Sequence, residues 1–264
     1  MQPLDSFRPP FYLKNAYVQT ILGSSKLRAL TPNIMRDVAR EKIITIPENI
    51  KLVGYHSVQN SRPAKGLAIV LHGWEGSSDS TYVLRCARCL YLNGYDIFRL
   101  NFRDHGDSHH LNGGIFYAVL LEEVYQAVKH AAGFAGGAPV FLIGFSLGGN
   151  FVLRLLKKCV RVPIANLCHA VSISPVLNPE KSTTKIDRIA FIRNYFLTKW
   201  RRSLAKKQKL FPDLYDFNDV MHLKTIQAVT DALLERYSDF QTAREYFQAY
   251  SVTGSAIEDI LTPT

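Results

Sequence analysis

Gly144-Phe145-Ser146-Leu147-Gly148 holds a serine between two glycines, after the apolar run Val140-Phe141-Leu142-Ile143 and before Gly149–Lys158, a stretch with helical spacing and a basic end. Strand, Gly-x-Ser-x-Gly and helix make a nucleophile elbow, a turn too tight for side chains on either side of the serine. The chemistry this arrangement serves is attack of the Ser146 hydroxyl on an acyl carbonyl, with Gly144 and Gly148 as the elbow glycines. The oxyanion so formed needs backbone donors. One is the N–H of Leu147, next after the serine. The other is expected at Trp74, in the loop His72-Gly73-Trp74-Glu75-Gly76-Ser77-Ser78 that follows the apolar strand Leu67–Leu71. The Trp74 ring would then wall an acyl or alcohol pocket, and His72 reads as a structural residue of its loop. The bland alternative is a glycine-rich strand-to-helix connection in some other α/β protein.

A third strand leads into Asp104-His105-Gly106-Asp107-Ser108-His109-His110. Three histidines and two aspartates invite a metal reading, but neither an HExxH helix nor a Cys/His pair at zinc spacing accompanies them. The loop is read as hydrogen-bonded structure beside the site, with no metal. No cofactor is expected either, since the chain has no phosphate-binding Walker loop and no dinucleotide G-x-G-x-x-G.

Strands and helices must alternate to position these loops. The pattern predicts a hairpin over Lys42–Ile46 and Lys51–His56, then strand 67–71, helix 80–93, strand 95–100, helix 116–132, strand 139–143, helix 149–159 and strand 167–174. Such alternation implies a mostly parallel sheet with right-handed crossovers and helices on both faces. Three parts are expected: a core with an amino-terminal arm over 1–178, a helical cap or lid over 179–250, and a truncated return to the core over 251–264.

Taken together, the three strand-end motifs resemble the α/β-hydrolase fold family. Phe7-Arg8-Pro9-Pro10-Phe11, Asn15–Ile21, His72–Ser80 and Asn101–Asp107 narrow the resemblance to its YheT-like, embryogenesis-associated branch, over nearly the whole chain. Tyr17 stands where those relatives carry a histidine. The resemblance implies a serine carboxylesterase or lipase-like hydrolase acting on small-molecule esters, either short esters or acyl glycerols. In this family the triad follows the chain order serine, acid, histidine. After Ser146 only His169 and His222 remain. Both read as structural, one on a strand and one in the cap, so no triad acid or histidine is assigned. The last core strands of the family are missing, and the hydrolase is expected to be impaired. The alternative is a non-catalytic remnant or acyl-ligand-binding protein.

At 264 residues and 47% hydrophobic side chains, the chain is long enough for one sizeable core. No run of 18 apolar residues occurs, and Met1–Ser6 has no signal-peptide character, so a cytoplasmic location is expected. Cys86 and Cys89 fall in a helical period and read as plain thiols. The net charge of +10 concentrates between Lys181 and Lys209. That run reads as a solvated face of the cap; nucleic acid is not the expected partner, and peripheral membrane contact stays open. Loss of a neighbour would leave strand 167–174 as a sheet edge, expected to self-associate or to take up a complementing chain.

Overall fold

The computed structural model describes residues 8, 10–15, 18–19, 32–60, 63–260 and 262–264. Phe7, Pro9, Ala16, Tyr17, Thr20 and Ile21 of the amino-terminal motif lie outside them. A six-stranded sheet runs in the order β1-β2-β4-β3-β5-β6. Its strands are β1 (Arg40–Ile46), β2 (Ile50–Ser57), β3 (Leu67–Leu71), β4 (Asp96–Leu100), β5 (Val140–Phe145) and β6 (Leu167–Ile173). β1 and β2 form the expected hairpin, and β2 also pairs antiparallel with β4. The remaining pairs, β4 with β3, β3 with β5 and β5 with β6, are parallel.

The central strands read as continuous apolar runs because both of their faces are covered. Leu67, Ile69 and Leu71 of β3 point into one core, with Phe98, Leu142 and Phe151; Ala68 and Val70 point into the other, with Met35, Val83 and Ile97. Helices α1 (Ile34–Asp37) and α2 (Thr81–Leu92) contribute to the second core. Helices α3 (Leu121–Ala132) and α4 (Leu147–Cys159) cover the first. α4 ends on Lys157 and Lys158, cations that suit the negative end of its dipole.

Four helices follow the sheet: α5 (Pro179–Arg188), α6 (Ala190–Leu210), α7 (Ile226–Tyr237) and α8 (Ala243–Ala249). Their starts are written in the sequence. Asn178 accepts the Lys181 N–H ahead of Pro179, Thr225 accepts that of Ala228, and Thr242 accepts that of Glu245. A separate apolar cluster joins Leu197, Leu204, Phe217, Ile226, Val229 and Leu233, whereas Ala243, Tyr246 and Phe247 of α8 pack into the sheet's own core. Among the described residues no helix is long and apolar enough to cross a membrane.

One expectation needs correction. The helix expected from 116 begins at Leu121, because Phe116 to Leu120 are drawn into loop contacts. The Phe116 N–H donates to Asp104 Oδ2 at 2.9 Å, and the Ala118 N–H donates to Tyr246 Oη at 3.0 Å. β6 is a sheet edge as expected, and among the described residues its outer side takes one bond, from the Ala170 N–H to the carbonyl of Pro263 at 2.9 Å.

Candidate active site

Ser146 sits where β5 gives way to α4, at φ 53° and ψ −113°, a conformation side chains seldom adopt. Its N–H donates to the Ile173 carbonyl at 2.9 Å, and its own carbonyl accepts the Asn150 N–H at 3.0 Å. The side chain is exposed. Both elbow glycines are forced by close approach. A Cβ on Gly144 would lie 2.2 Å from the Gly148 carbonyl oxygen, and one on Gly148 would lie 2.5 Å from that of His72. The loop after β3 also packs against the elbow, since a Cβ on Gly73 would stand 3.2 Å from Ser146 Cβ.

Of the two expected donors, Leu147 follows Ser146 directly and Trp74 follows Gly73, where a Cβ would lie 3.2 Å from Ser146 Cβ. Leu147 is the first residue of α4 and Trp74 lies in the turn closed by the Gly76 N–H donating to the Gly73 carbonyl at 3.0 Å. Among the described residues neither the Leu147 nor the Trp74 N–H has an acceptor within the protein. The Trp74 ring stacks on Phe196 at 5.2 Å and meets Trp200 edge-on at 5.0 Å, joining this loop to α6.

Trp74 and Leu147 both line a cavity between the strand ends and the helices after the sheet. Ile115, Phe116, Val176, Ile226 and Leu233 give it an apolar wall. Its polar groups include Glu75, Asp104, His105, Ser203 and Lys207. Lys207 and Asp104 form an ion pair at 2.8 Å, both nearly inaccessible to solvent. Lys207 Nζ also donates to the carbonyls of Asn112 at 2.6 Å and Gly114 at 2.9 Å. Burial pushes the Asp104 carboxyl up and the Lys207 ammonium down, and each pulls the other back.

Glu75 takes a left-handed φ of 53°. Its N–H donates to His105 Nε2 at 3.2 Å and its carbonyl accepts Lys199 Nζ at 2.9 Å. Among the described residues its carboxyl has no hydrogen-bond partner. Desolvation raises its pKa to about 8, against the pull of Lys199. Sequence reasoning assigned nothing to Glu75 or Lys207. The only signal was position: Glu75 follows the expected oxyanion donor, and Lys207 is one of ten basic residues between 179 and 210.

The histidines are committed elsewhere. His72 is fully buried; its Nδ1–H donates to the Gly73 carbonyl at 2.7 Å and its Nε2 accepts the Phe102 N–H at 3.2 Å. Burial, then the neighbouring His105, hold it well below the ordinary imidazole range. His105 donates through Nδ1 to the Arg103 carbonyl at 2.7 Å, and burial lowers its pKa to about 4. His109 Nε2 lies 2.8 Å from Ser203 Oγ, and Asp107 pairs with Lys206 at the surface. The loop's side chains therefore diverge, and among the described residues no three His, Cys, Asp or Glu converge as metal ligands.

His169 pairs in register with Phe141. That leaves it about 16 Å short of Ser146 along the strand direction. His222 is exposed and absent from the cavity wall. Cys86 and Cys89 are free thiols on α2, and burial raises Cys86 to about 11.

The Hydrolase_4 family, serine aminopeptidase S33, matches residues 62–264 of the chain. An abhydrolase domain-containing protein of Dictyostelium discoideum is 23% identical over 284 residues, covering 98% of this chain and 69% of its own length. Mouse phospholipase ABHD3 is 24% identical over 197 residues, covering 73% of this chain and 46% of the phospholipase. The chain therefore spans under half of that relative. The solved 2,6-dihydroxy-pseudo-oxynicotine hydrolase superposes with a TM-score of 0.52 at 14% identity, over 86% of this chain and 51% of that one. The Pyrococcus furiosus esterase Pf2001 superposes with a TM-score of 0.50 at 18% identity, over 81% and 80%. At these identities the likeness shows the fold, which is the α/β-hydrolase fold.

Proposed function

The chain belongs to the Hydrolase_4 family, serine aminopeptidase S33, and from that premise we propose that it is a serine hydrolase of carboxylic esters with Ser146 as nucleophile. The Ser146 oxygen adds to the ester carbonyl, and the N–H groups of Trp74 and Leu147 receive the oxyanion. The alcohol leaves with the proton Ser146 gives up, and water then releases the acyl group from the serine. One observation carries this reading: the N–H groups of Leu147, next to the exposed and strained Ser146, and of Trp74, next to the Gly73 that packs against it, have no acceptor among the described residues, and both residues line an apolar cavity. The lining by Ile115, Val176 and Leu233 suits an acyl chain. The mouse relative's name, a phospholipase, supports an acyl lipid as substrate class, here an acyl glycerol or a short ester.

His72 and His105 have both ring nitrogens engaged, His169 is set far along its strand from Ser146, and His222 is exposed and off the cavity wall. Without an imidazole from any of these four, the Ser146 hydroxyl keeps its ordinary basicity. Turnover by this chain is expected to fall about 10⁴–10⁶-fold below that of a complete triad, with oxyanion assistance surviving.

That no imidazole is hydrogen-bonded to Ser146 among the described residues also favours a second reading, an acyl-binding protein that does not turn its ligand over. Intact mass after incubation with a fluorophosphonate, alongside Ser146→Ala, separates the two. Labelling of the parent and not of the variant supports the hydrolase. No labelling of folded parent that still binds a fluorescent fatty acid supports the binding protein.

A further inference from the structure

Helices α5 and α6 each have two distinct faces. Ser182, Thr183 and Ile186 of α5, and Trp200, Ser203 and Leu204 of α6, turn inward and line the cavity. The outward face of α5 carries Lys181, Thr184, Lys185 and Arg188, all exposed at helical spacing. That of α6 carries Phe191, Tyr195, Thr198, Arg202, Ala205 and Lys209, a single exposed stripe. The stripe runs about 27 Å along the helix. Phe191 is 64% exposed and Tyr195 41%. Two more exposed leucines, Leu210 and Leu214, stand at the far end of the stripe, past Lys209.

A merely solvated helix face intersperses charges of both signs. This one does not. Residues 179–210 hold ten basic side chains and two acidic ones, eight of the molecule's ten net charges. The two acids do not neutralise the face. Glu180 pairs with Arg244 of α8, and Asp187 accepts the N–H groups of Ile226 and Gln227 at the start of α7. Among the described residues, Lys181, Lys185, Arg188, Arg202 and Lys209 have no ion-pair partner.

We propose that the outer face of α5 and α6 docks on an anionic lipid bilayer, with the five unpaired cations against the headgroups and Phe191 and Tyr195 inserted at the interface. Exposed aliphatic Leu210 and Leu214 beside the cations fit a bilayer and have no role on a nucleic acid backbone. The apolar cavity under the same two helices would then lie just below the membrane surface. This inference does not depend on Ser146.

The test is co-sedimentation of the full chain with phosphatidylcholine vesicles, with and without phosphatidylserine, at low and high salt. Binding should require phosphatidylserine and fall with salt. Arg202→Glu with Lys209→Glu should weaken it at least about tenfold. Phe191→Ser should weaken it on the order of fivefold, with less change in the salt dependence. Lys129→Glu with Lys157→Glu makes the same charge change on α3 and α4 and should retain most of the binding. Circular dichroism and thermal unfolding establish that each variant folds. Equal binding to neutral vesicles, equal loss in the α3–α4 control, or tighter binding to a single-stranded oligonucleotide at matched salt would each overturn the inference. Ser146→Ala should bind vesicles like the parent, so failure of the hydrolase reading leaves this one standing.

Discussion

A residue at φ 53° and ψ −113° carries about 1–3 kcal/mol of backbone strain unless it is glycine, and Ser146 is held there by its surroundings. The Ile173 carbonyl fixes its N–H, and Gly144 and Gly148 let the two limbs of the turn close. Gly144→Ala is therefore expected to destabilise the fold by about 1–3 kcal/mol through overpacking, read by urea unfolding, and to abolish any labelling of Ser146. Unchanged stability would mean that the elbow is looser than the 2.2 Å approach implies. Glu75 offers a pH signature. Its folded pKa of about 8 lies above the ordinary value of 4.5, so between those values the unfolded chain holds fewer protons than the folded one. Stability from this group is thus present below about pH 4.5 and lost as pH rises towards 8. Glu75→Gln removes that slope. The variant should gain on the parent steadily from mildly acid pH and level off above about 8, measured by urea unfolding across pH. Parallel curves would place a charge on Glu75 at neutral pH.

At the scale of elements, α6 is held to the sheet by polar groups as much as by apolar ones. Lys199 reaches the Glu75 carbonyl, and Lys207 reaches Asp104 and the turn at Asn112 and Gly114. Lys207→Ala leaves Asp104 buried and unpaired and is expected to cost about 3–5 kcal/mol, with faster proteolysis of the α5–α6 segment. Lys207→Met combined with Asp104→Asn should recover most of that loss, because no charge is then stranded. If the double variant is as unstable as the single one, the carbonyl contacts rather than the ion pair hold the helix. None of this was legible in the chain. Lys207 sits in Lys206-Lys207-Gln208-Lys209, where composition marks a solvated face and nothing singles out the one lysine that turns inward. The strands were legible for a plain reason. Leu67–Leu71 is buried on both faces and Val140–Ile143 nearly so, with Phe141 half-buried, so their apolar runs stand out against polar loops. The elbow was legible because its glycines answer to steric contact alone. The start of α3 was missed because Phe116 to Leu120 have helical composition, while Asp104 and Tyr246, distant in sequence, take up their N–H groups.

On the scale of the whole molecule the two sheet edges differ. β1 carries Arg40, Glu41 and Lys42 at its start, charges that discourage a second strand from pairing. β6, Leu167-Cys168-His169-Ala170-Val171-Ser172-Ile173, carries no Lys, Arg, Asp or Glu. Val171 is 49% exposed and Ile173 37%. Between residues 262 and 264 the chain supplies this edge with one bond, from the Ala170 N–H to the Pro263 carbonyl. Among the described residues this single bond leaves most of the β6 backbone free to pair. Sedimentation velocity in reductant, which keeps exposed Cys168 out of disulfides, should show association that grows with protein concentration. Val171→Lys should return the protein to a monomer, whereas Ile43→Lys on the already charged β1 edge should not. Association unaffected by Val171→Lys would move the contact elsewhere, with the outer face of α5 and α6 next to be tested. A monodisperse parent at every concentration would mean that the Pro263 segment closes the edge by itself. Deleting residues 262–264 should then bring the association back.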